Sequence, residues 1–365
     1  MLGAAFGILG FLLKALATNV AMIYVGRVVT AQASGIIFII NFVYIAEISS
    51  TSIRGVFLVG TGFCTALGML FSYSVGPFVS YGVTTYIGLA LVLTYSVVTF
   101  LIPETPYYYL LKGREDEFKD ILIKLGRESD IKDLISTKLE EPIGMLQAWK
   151  EIFSVKSNRK ALFITLTLMI MQQMSGVMIV LLFATSIFNL ITSSLESHIS
   201  TIIIGVTQLV SSSITPLFIE RAGRKILMLV TTAACGVSLM LLGTYFYLDH
   251  VDHPSLESIS WLPLVSLISY IMFFNFGYAI IPGTFTGEMF ESKVRGPGSV
   301  LTITVSWIVG FIVSSTYTTM VNSLGSYTTF WLYGLVCFLA FIFTIVFVPE
   351  TKGKSLIEIQ EILSR

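Results

Sequence analysis

Residues 103–160 read PETPYYYLLKGREDEFKDILIKLGRESDIKDLISTKLEEPIGMLQAWKEIFSVKSNRK. This stretch holds 11 of the chain's 22 Asp and Glu residues and 11 of its 22 Lys and Arg residues. The other 307 of 365 residues share the remaining 22 charges and read as one apolar block after another. A single polar segment therefore separates two greasy halves.

A soluble protein carries about a quarter charged residues; this chain carries 12%, with 55% hydrophobic residues and a mean hydropathy of +0.84. A helix needs about 20 apolar residues to cross a bilayer, and runs of that length recur between short polar breaks. A membrane barrel would instead alternate apolar and polar residues in segments of about 10. The composition predicts an all-α polytopic membrane protein. Ten spans can be drawn, at about 2–20, 22–46, 55–78, 82–102, 161–190, 199–219, 226–248, 261–287, 296–321 and 326–348. The expected domains are a four-helix bundle over 1–102, a helical linker over 103–160, a six-helix bundle over 161–348 and a tail over 349–365.

Orientation follows from Lys and Arg in the short loops. With 103–160 in the cytoplasm, the segments 47–55, 220–225, 288–296 and 349–365 lie there too. Together these five hold 20 of the 22 basic residues. The opposite loops hold none, so both termini are expected inside. Lys14 and Arg27 fall within the first two spans, where snorkelling or interior pairing can accommodate them. A zero net charge gives no basic field for nucleic acid. Cys64, Cys235 and Cys337 fall in apolar runs and read as structural thiols. A leader peptide is not expected, because no Lys or Arg precedes the first apolar run and Lys14 interrupts it. Within the linker, Glu115, Phe118, Ile121, Leu122 and Leu125 have the spacing of a short amphipathic helix.

Two cytoplasmic turns share one pattern. Glu47 is followed by Arg54-Gly55, and Glu288 by Arg295-Gly296, both as Glu-x6-Arg-Gly and 241 residues apart. Pro103-Glu104-Thr105 matches Pro349-Glu350-Thr351 at an offset of 246. Two matched pairs at nearly one offset indicate duplication, and the common cytoplasmic side makes the repeats parallel. Such repeats flank a substrate site near the membrane midplane. The second half has six spans and the first has four, so two helices are expected to be missing before Met1.

Seven motifs in order resemble the sugar-porter branch of the major facilitator superfamily. They are Gly26-Arg27, YIAEISSTSIRG at 44–55, PETPYYYLLKGR at 103–114, QQMSG at 172–176, ERAGRK at 220–225, GEMFESKVRG at 287–296 and PETKGKSL at 349–356. Within that branch the chain looks most like facilitated trehalose and glucose transporters of arthropods. The resemblance implies a major-facilitator fold in the plasma membrane, carrying a sugar down its gradient by alternating access. It implies no cofactor and no enzymatic activity, with a sugar and the lipid bilayer as partners.

Sugar recognition needs amides and hydroxyls inside the bundle. Gln172 and Gln173 sit mid-span, where an unpaired polar group is expensive, and the resemblance implies that they face the sugar. Gln208, Ser306 and Trp307 are further candidates. The charged groups at the cytoplasmic helix ends, Glu47, Arg54, Glu104, Glu220, Arg221, Arg224, Glu288, Arg295 and Glu350, are expected to act as a gate. Exposed ion pairs contribute about 0–1 kcal/mol each, enough for a network to bias one conformation without freezing it.

Four positions depart from the family pattern. Met178 stands where Asn is usual, Leu182-Phe183 replaces an aromatic pair, Ile280-Ile281-Pro282-Gly283 lacks the usual tryptophan, and Gly62 stands where Gln is common. Proton-coupled symport is the rival within transport, although no drawn span carries a carboxylate at mid-depth. A membrane sensor that does not transport is the rival from another class. Asp249-His250-x-Asp252-His253 looks like a metal cluster but reads as solvated loop charge. No phosphate-binding glycine loop points to ATP-driven transport.

Overall fold

The computed structural model describes residues 1–50, 54–127, 145–189, 197–254, 256–291, 293–352, 354 and 356–364. Among the described residues every regular element is a helix. Among the described residues, eight helices are long and apolar enough to cross a membrane. The first helix, Leu2–Ala15, is apolar but shorter. By contacts the chain divides into two compact units, Met1–Glu141 and Pro142–Arg365.

The first unit holds α1 (Leu2–Ala15), α2 (Val20–Ile48), α3 (Arg54–Val75) and α4 (Tyr81–Leu101), followed by the short α5 (Pro106–Leu111) and α6 (Glu115–Lys124). Asn19 caps α2 by accepting from the Met22 N–H at 2.8 Å, and Ser80 caps α4 through Val83, as polar N-caps do. Helix α1 packs along α2 and α4. The amphipathic α6 buries Phe118, Ile121 and Leu122, and Leu110 of α5 completes a small core with Phe118 and Leu122. That is the face the apolar spacing predicts.

In the second unit, α7 (Met145–Ser154) leads into α8 (Lys156–Met174), then the short α9 (Val177–Leu182) and α10 (Ala184–Asn189). Then come α11 (Ser197–Ala222), α12 (Arg224–His250), α13 (Leu262–Phe273), α14 (Ile281–Met289), α15 (Arg295–Leu324), α16 (Ser326–Phe347) and the tail helix α17 (Leu356–Ser364). Helix α12 packs along α16 and α13, while α8 packs on α15, α14 and α17. One continuous core runs through the unit, from Ile164 and Leu168 of α8 to Tyr270, Phe285 and Phe330. The polar 103–160 stretch is shared: α5 and α6 belong to the first unit, and α7 packs on α8 and α15 of the second.

The duplication is visible in the helix ends. Glu47 and Glu288 are each the last residue but one of their helices, and Arg54 and Arg295 each begin the next. Pro103 and Pro349 each stand two residues beyond a span, after Leu101 and Phe347.

Candidate functional site

Two adjacent amides, Gln172 and Gln173, lie in the last turn of α8, both buried. The helix stops there because Gly176 takes a φ of +83°, the left-handed conformation that ends many helices and that suits glycine. A Cβ at this position would lie 2.8 Å from Cδ2 of Tyr333, so any other residue would force that ring to shift. The Ser175 hydroxyl donates to the Gln172 carbonyl at 2.6 Å, closing the turn.

The two amides have different environments. Gln172 donates through Nε2 to the main-chain carbonyls of Tyr278 at 2.6 Å and Ala279 at 3.0 Å. Those carbonyls lie where the span 261–287 is interrupted: α13 ends at Phe273, a π-helical turn covers Phe274–Tyr278, and α14 begins at Ile281. Pro282, four residues after Tyr278, has no N–H to offer the Tyr278 carbonyl. Gln172 supplies the missing donor. A broken helix inside a membrane requires such a substitute.

Gln173 instead donates to the Ser306 hydroxyl on α15 at 3.1 Å. Its Oε1 is buried and has no hydrogen-bond partner among the described residues. A buried acceptor without a donor costs about 1–3 kcal/mol, which a hydroxyl-bearing ligand would relieve. Gly310, one turn beyond Ser306, leaves the room this oxygen occupies; a Cβ there would lie 3.0 Å from it.

Gln208 lies on α11 with its Oε1 likewise buried and unpartnered among the described residues, and no hydrogen bond joins it to the α8 pair. Trp307 is 59% exposed and belongs to neither group. Residues not singled out from the sequence also contribute. Asn275, inside the π-helical turn, donates to the Ser211 hydroxyl at 3.0 Å, and Thr215 donates to the Asn275 carbonyl. Phe183, one residue of the altered aromatic pair, packs on Tyr317 with ring centroids 5.0 Å apart.

A second polar cluster gathers at the start of α12. Gly223 enters the helix with a φ of +85°. The Glu350 carboxylate then caps it, accepting from the N–H groups of Arg224 and Lys225, each at 3.1 Å, and from Lys352 at 3.0 Å. A negative charge at a helix N-terminus meets unpaired donors and the positive end of the dipole. Burial pushes the Glu350 carboxyl up, but backbone N–H groups of Lys352, Lys225, Arg224 and Thr351 outweigh it and hold the group below its usual range.

Beside this cap, the Arg224 guanidinium meets Oε1 of Glu288 through Nε and Nη2, both at 3.2 Å. The Thr351 hydroxyl donates to the other Glu288 oxygen. Three sequence motifs are thereby brought to one place: ERAGRK through Arg224, GEMFESKVRG through Glu288, and PETKGKSL through Glu350 and Thr351. Arg295 does not pair with Glu288, and its Nε has no partner among the described residues. Gln360 of the tail helix donates to the Met289 carbonyl, tying α17 to the end of α14.

The first unit makes the corresponding corner differently. Arg127 is 5% exposed and donates to the Glu47 main-chain carbonyl at 2.6 Å, and the Tyr44 hydroxyl donates to the Pro103 carbonyl at 3.0 Å. Glu104 is exposed. Arg54 begins α3 and Glu220 and Arg221 continue α11, while their side chains lie outside the described residues. Met174 and Arg224 each stand next to a positive-φ glycine turn, and those two turns place the polar clusters.

The family model described as "Sugar (and other) transporter" matches residues 1–363. The facilitated trehalose transporter Tret1 of Bombyx mori is 35% identical over 358 residues, covering 96% of this chain and 70% of that protein. The proteins of that name from Aedes aegypti and Drosophila yakuba are 33% and 34% identical, over 97% of this chain. The chain spans 44% and 42% of their lengths. Among solved structures, the inward-open xylose transporter XylE from E. coli superposes with a TM-score of 0.81 at 21% identity, covering 99% of this chain and 81% of that one. The human organic anion transporter MFSD10 superposes at 0.52 with 13% identity, covering 94% of this chain and 75% of that one. These superpositions establish the major-facilitator fold.

Proposed function

The chain belongs to the sugar transporter family of the major facilitator fold, and on that footing we propose that it carries trehalose, glucose or a related sugar down its gradient by alternating access. The observation that carries this reading is Gln173 Oε1, a buried acceptor with no donor among the described residues, beside Ser306 on the facing helix. A sugar hydroxyl donates to such an oxygen and accepts in turn from a neighbouring hydroxyl, as small-molecule sites require of their few polar groups. Gln172 holds the broken span in place, and Gln208, whose Oε1 is likewise buried and unpartnered among the described residues, is a further contact for the sugar. Both kinds of role are needed, since a transport site requires a rigid wall and an unfilled acceptor.

Arg224, Glu288 and Glu350 form the core of the inner gate. A half-buried ion pair joined to a helix cap is strong enough to favour one arrangement, yet weak enough to break in each cycle. Glu47, Arg54, Glu104, Glu220, Arg221 and Arg295 act at the same face, which is the cytoplasmic one by the distribution of Lys and Arg. Both termini then lie inside, in the plasma membrane. Among the described residues no Asp or Glu occupies the middle of a span, which supports uniport over proton coupling. Equilibrium binding of trehalose and of glucose to the purified chain tests the site. Gln173→Ala is expected to weaken binding about tenfold, the equivalent of one good hydrogen bond; unchanged affinity would remove Gln173 from the site.

A further inference from the structure

Helix α7 runs into the span that begins with α8, with only Val155 between them. It packs on α8 and α15, and only part of its apolar surface is used in doing so. Ala148 and Ile152 are buried, and Trp149 lies against the core. Leu146 and Phe153 are 88% and 54% exposed. At about 100° per residue, the order around the helix is Ala148, Ile152, Trp149, Phe153, Leu146, Lys150, Ser154, Gln147 and Glu151. One unbroken apolar arc therefore starts against the protein and ends outside it. Lys150 marks its edge, and Gln147 donates to Glu151 at 3.5 Å on the polar side. A helix that packs on protein alone turns polar residues outward. An apolar arc that outruns the protein contact and is bounded by lysine suits a helix lying in a membrane interface.

The start of α8 marks the level of the bilayer surface. Ser157, Asn158, Ala161 and Leu162 are buried there, while Lys156, Arg159 and Phe163 share the exposed face, at the spacing of one helix side. The Phe163 ring meets those of Phe343 and Phe347 at the end of α16, with centroids 5.7 Å apart in both cases. Phe163 is 51% exposed, and Val346 and Phe347 are exposed beside it. Such an apolar aromatic patch on a span faces lipid. Arg159, one turn before Phe163, therefore stands at headgroup depth, and α7 begins only a few residues further out.

Charge selects the kind of lipid. Residues 145–160 carry four basic side chains, Lys150, Lys156, Arg159 and Lys160, against one acidic, Glu151. Lys150, Arg159 and Lys160 make no ion pair among the described residues. A cluster of basic residues next to a span attracts anionic headgroups. The apolar arc and the basic cluster are independent features, and both are satisfied by one surface.

We propose that α7 docks on anionic phospholipid, with Leu146 and Phe153 in the acyl region and Lys150, Arg159 and Lys160 on the headgroups. Two measurements on the full chain test it. In vesicles of dioleoyl-phosphatidylcholine and dioleoyl-phosphatidylserine, a spin label is attached through Leu146→Cys or Gln147→Cys, each with Cys64→Ser. The label at 146 is expected to collide with oxygen, which concentrates in lipid, and the label at 147 with a water-soluble nickel chelate. Collision of the 146 label mainly with nickel overturns the proposal, because the arc then faces water. Collision with neither also overturns it, because protein then covers the arc. Native mass spectrometry compares retention of the serine lipid with that of the choline lipid. Lys150→Gln and Arg159→Gln, both at exposed positions, are each expected to lower the preference for the serine lipid about fivefold. Lys124→Gln, on α6, leaves it unchanged. An unchanged preference in both test variants overturns the proposal, as does an equal loss in Lys124→Gln, which would make net charge the cause. Neither measurement depends on sugar transport.

Discussion

Glu288 pairs with Arg224, 64 residues earlier in the chain, and not with Arg295, which follows it by seven in the repeated Glu-x6-Arg-Gly turn. The repeat therefore fixes helix ends, while the ion pair that joins them crosses between motifs. Both partners keep 24% side-chain exposure, which limits the pair to about 1 kcal/mol through solvent screening. Thr351 and the Glu350 cap on the same corner make it a network.

The first prediction concerns that corner. Arg224→Ala is expected to slow sugar uptake several-fold with little change in sugar affinity, and to do so more than Arg295→Ala. Exchanging the charges, as Arg224→Glu with Glu288→Arg, restores part of the loss. Uptake rates and binding constants for the three variants check this. Equal losses in the two arginine variants would contradict the role of the pair.

Glu350 gives a pH dependence with a definite sign. Its carboxyl is held below the usual value of 4.5 in the folded chain, so the charged form is bound more tightly than in the unfolded chain. The stability it contributes is present above the unfolded value and is lost as pH falls through the folded one. Thermal unfolding of the purified chain between about pH 6 and 3 should show this loss. Glu350→Gln is expected to be less stable at neutral pH and to close the gap on acidification. A gap independent of pH would show that the cap does not need its charge.

The amide pair should separate stability from binding. Gln172→Leu leaves the Tyr278 and Ala279 carbonyls without their donor, at a cost of about 1–3 kcal/mol, and should lower the melting temperature. Gln173→Ala should weaken sugar binding with a smaller effect on melting. Thermal melts and binding isotherms on both variants check the division, and a reversed pattern would exchange the two roles.

Gly176→Ala places a side chain at a φ of +83° and 2.8 Å from the Tyr333 ring. The left-handed conformation alone costs about 1–2 kcal/mol, and the close contact adds to it. A clear drop in melting temperature and loss of uptake are expected. Tyr333→Leu in the same chain should recover part of the stability, because it removes the contact and leaves the strain.

Much of this was legible from sequence. Apolar runs announce spans, and the spacing of Phe118, Ile121 and Leu122 announces a buried face. The repeat predicts matching helix ends at Glu47 and Glu288, and they match. The partners are less legible. Gln172 bonds main-chain carbonyls, which carry no residue signature; the one clue is Pro282, whose missing N–H orphans the carbonyl four residues before it. Arg224 and Arg295 are both basic residues at helix starts, and only packing decides which one reaches Glu288. Arg127 has no motif at all, yet it holds the end of α2.

The most direct measurement is uptake of labelled trehalose and glucose into liposomes carrying the full chain, with and without an imposed proton gradient. The account predicts saturable uptake of at least one of the two sugars, at a rate indifferent to the gradient and reduced by Gln173→Ala. Uptake driven by the gradient, or none from folded chain, would contradict it.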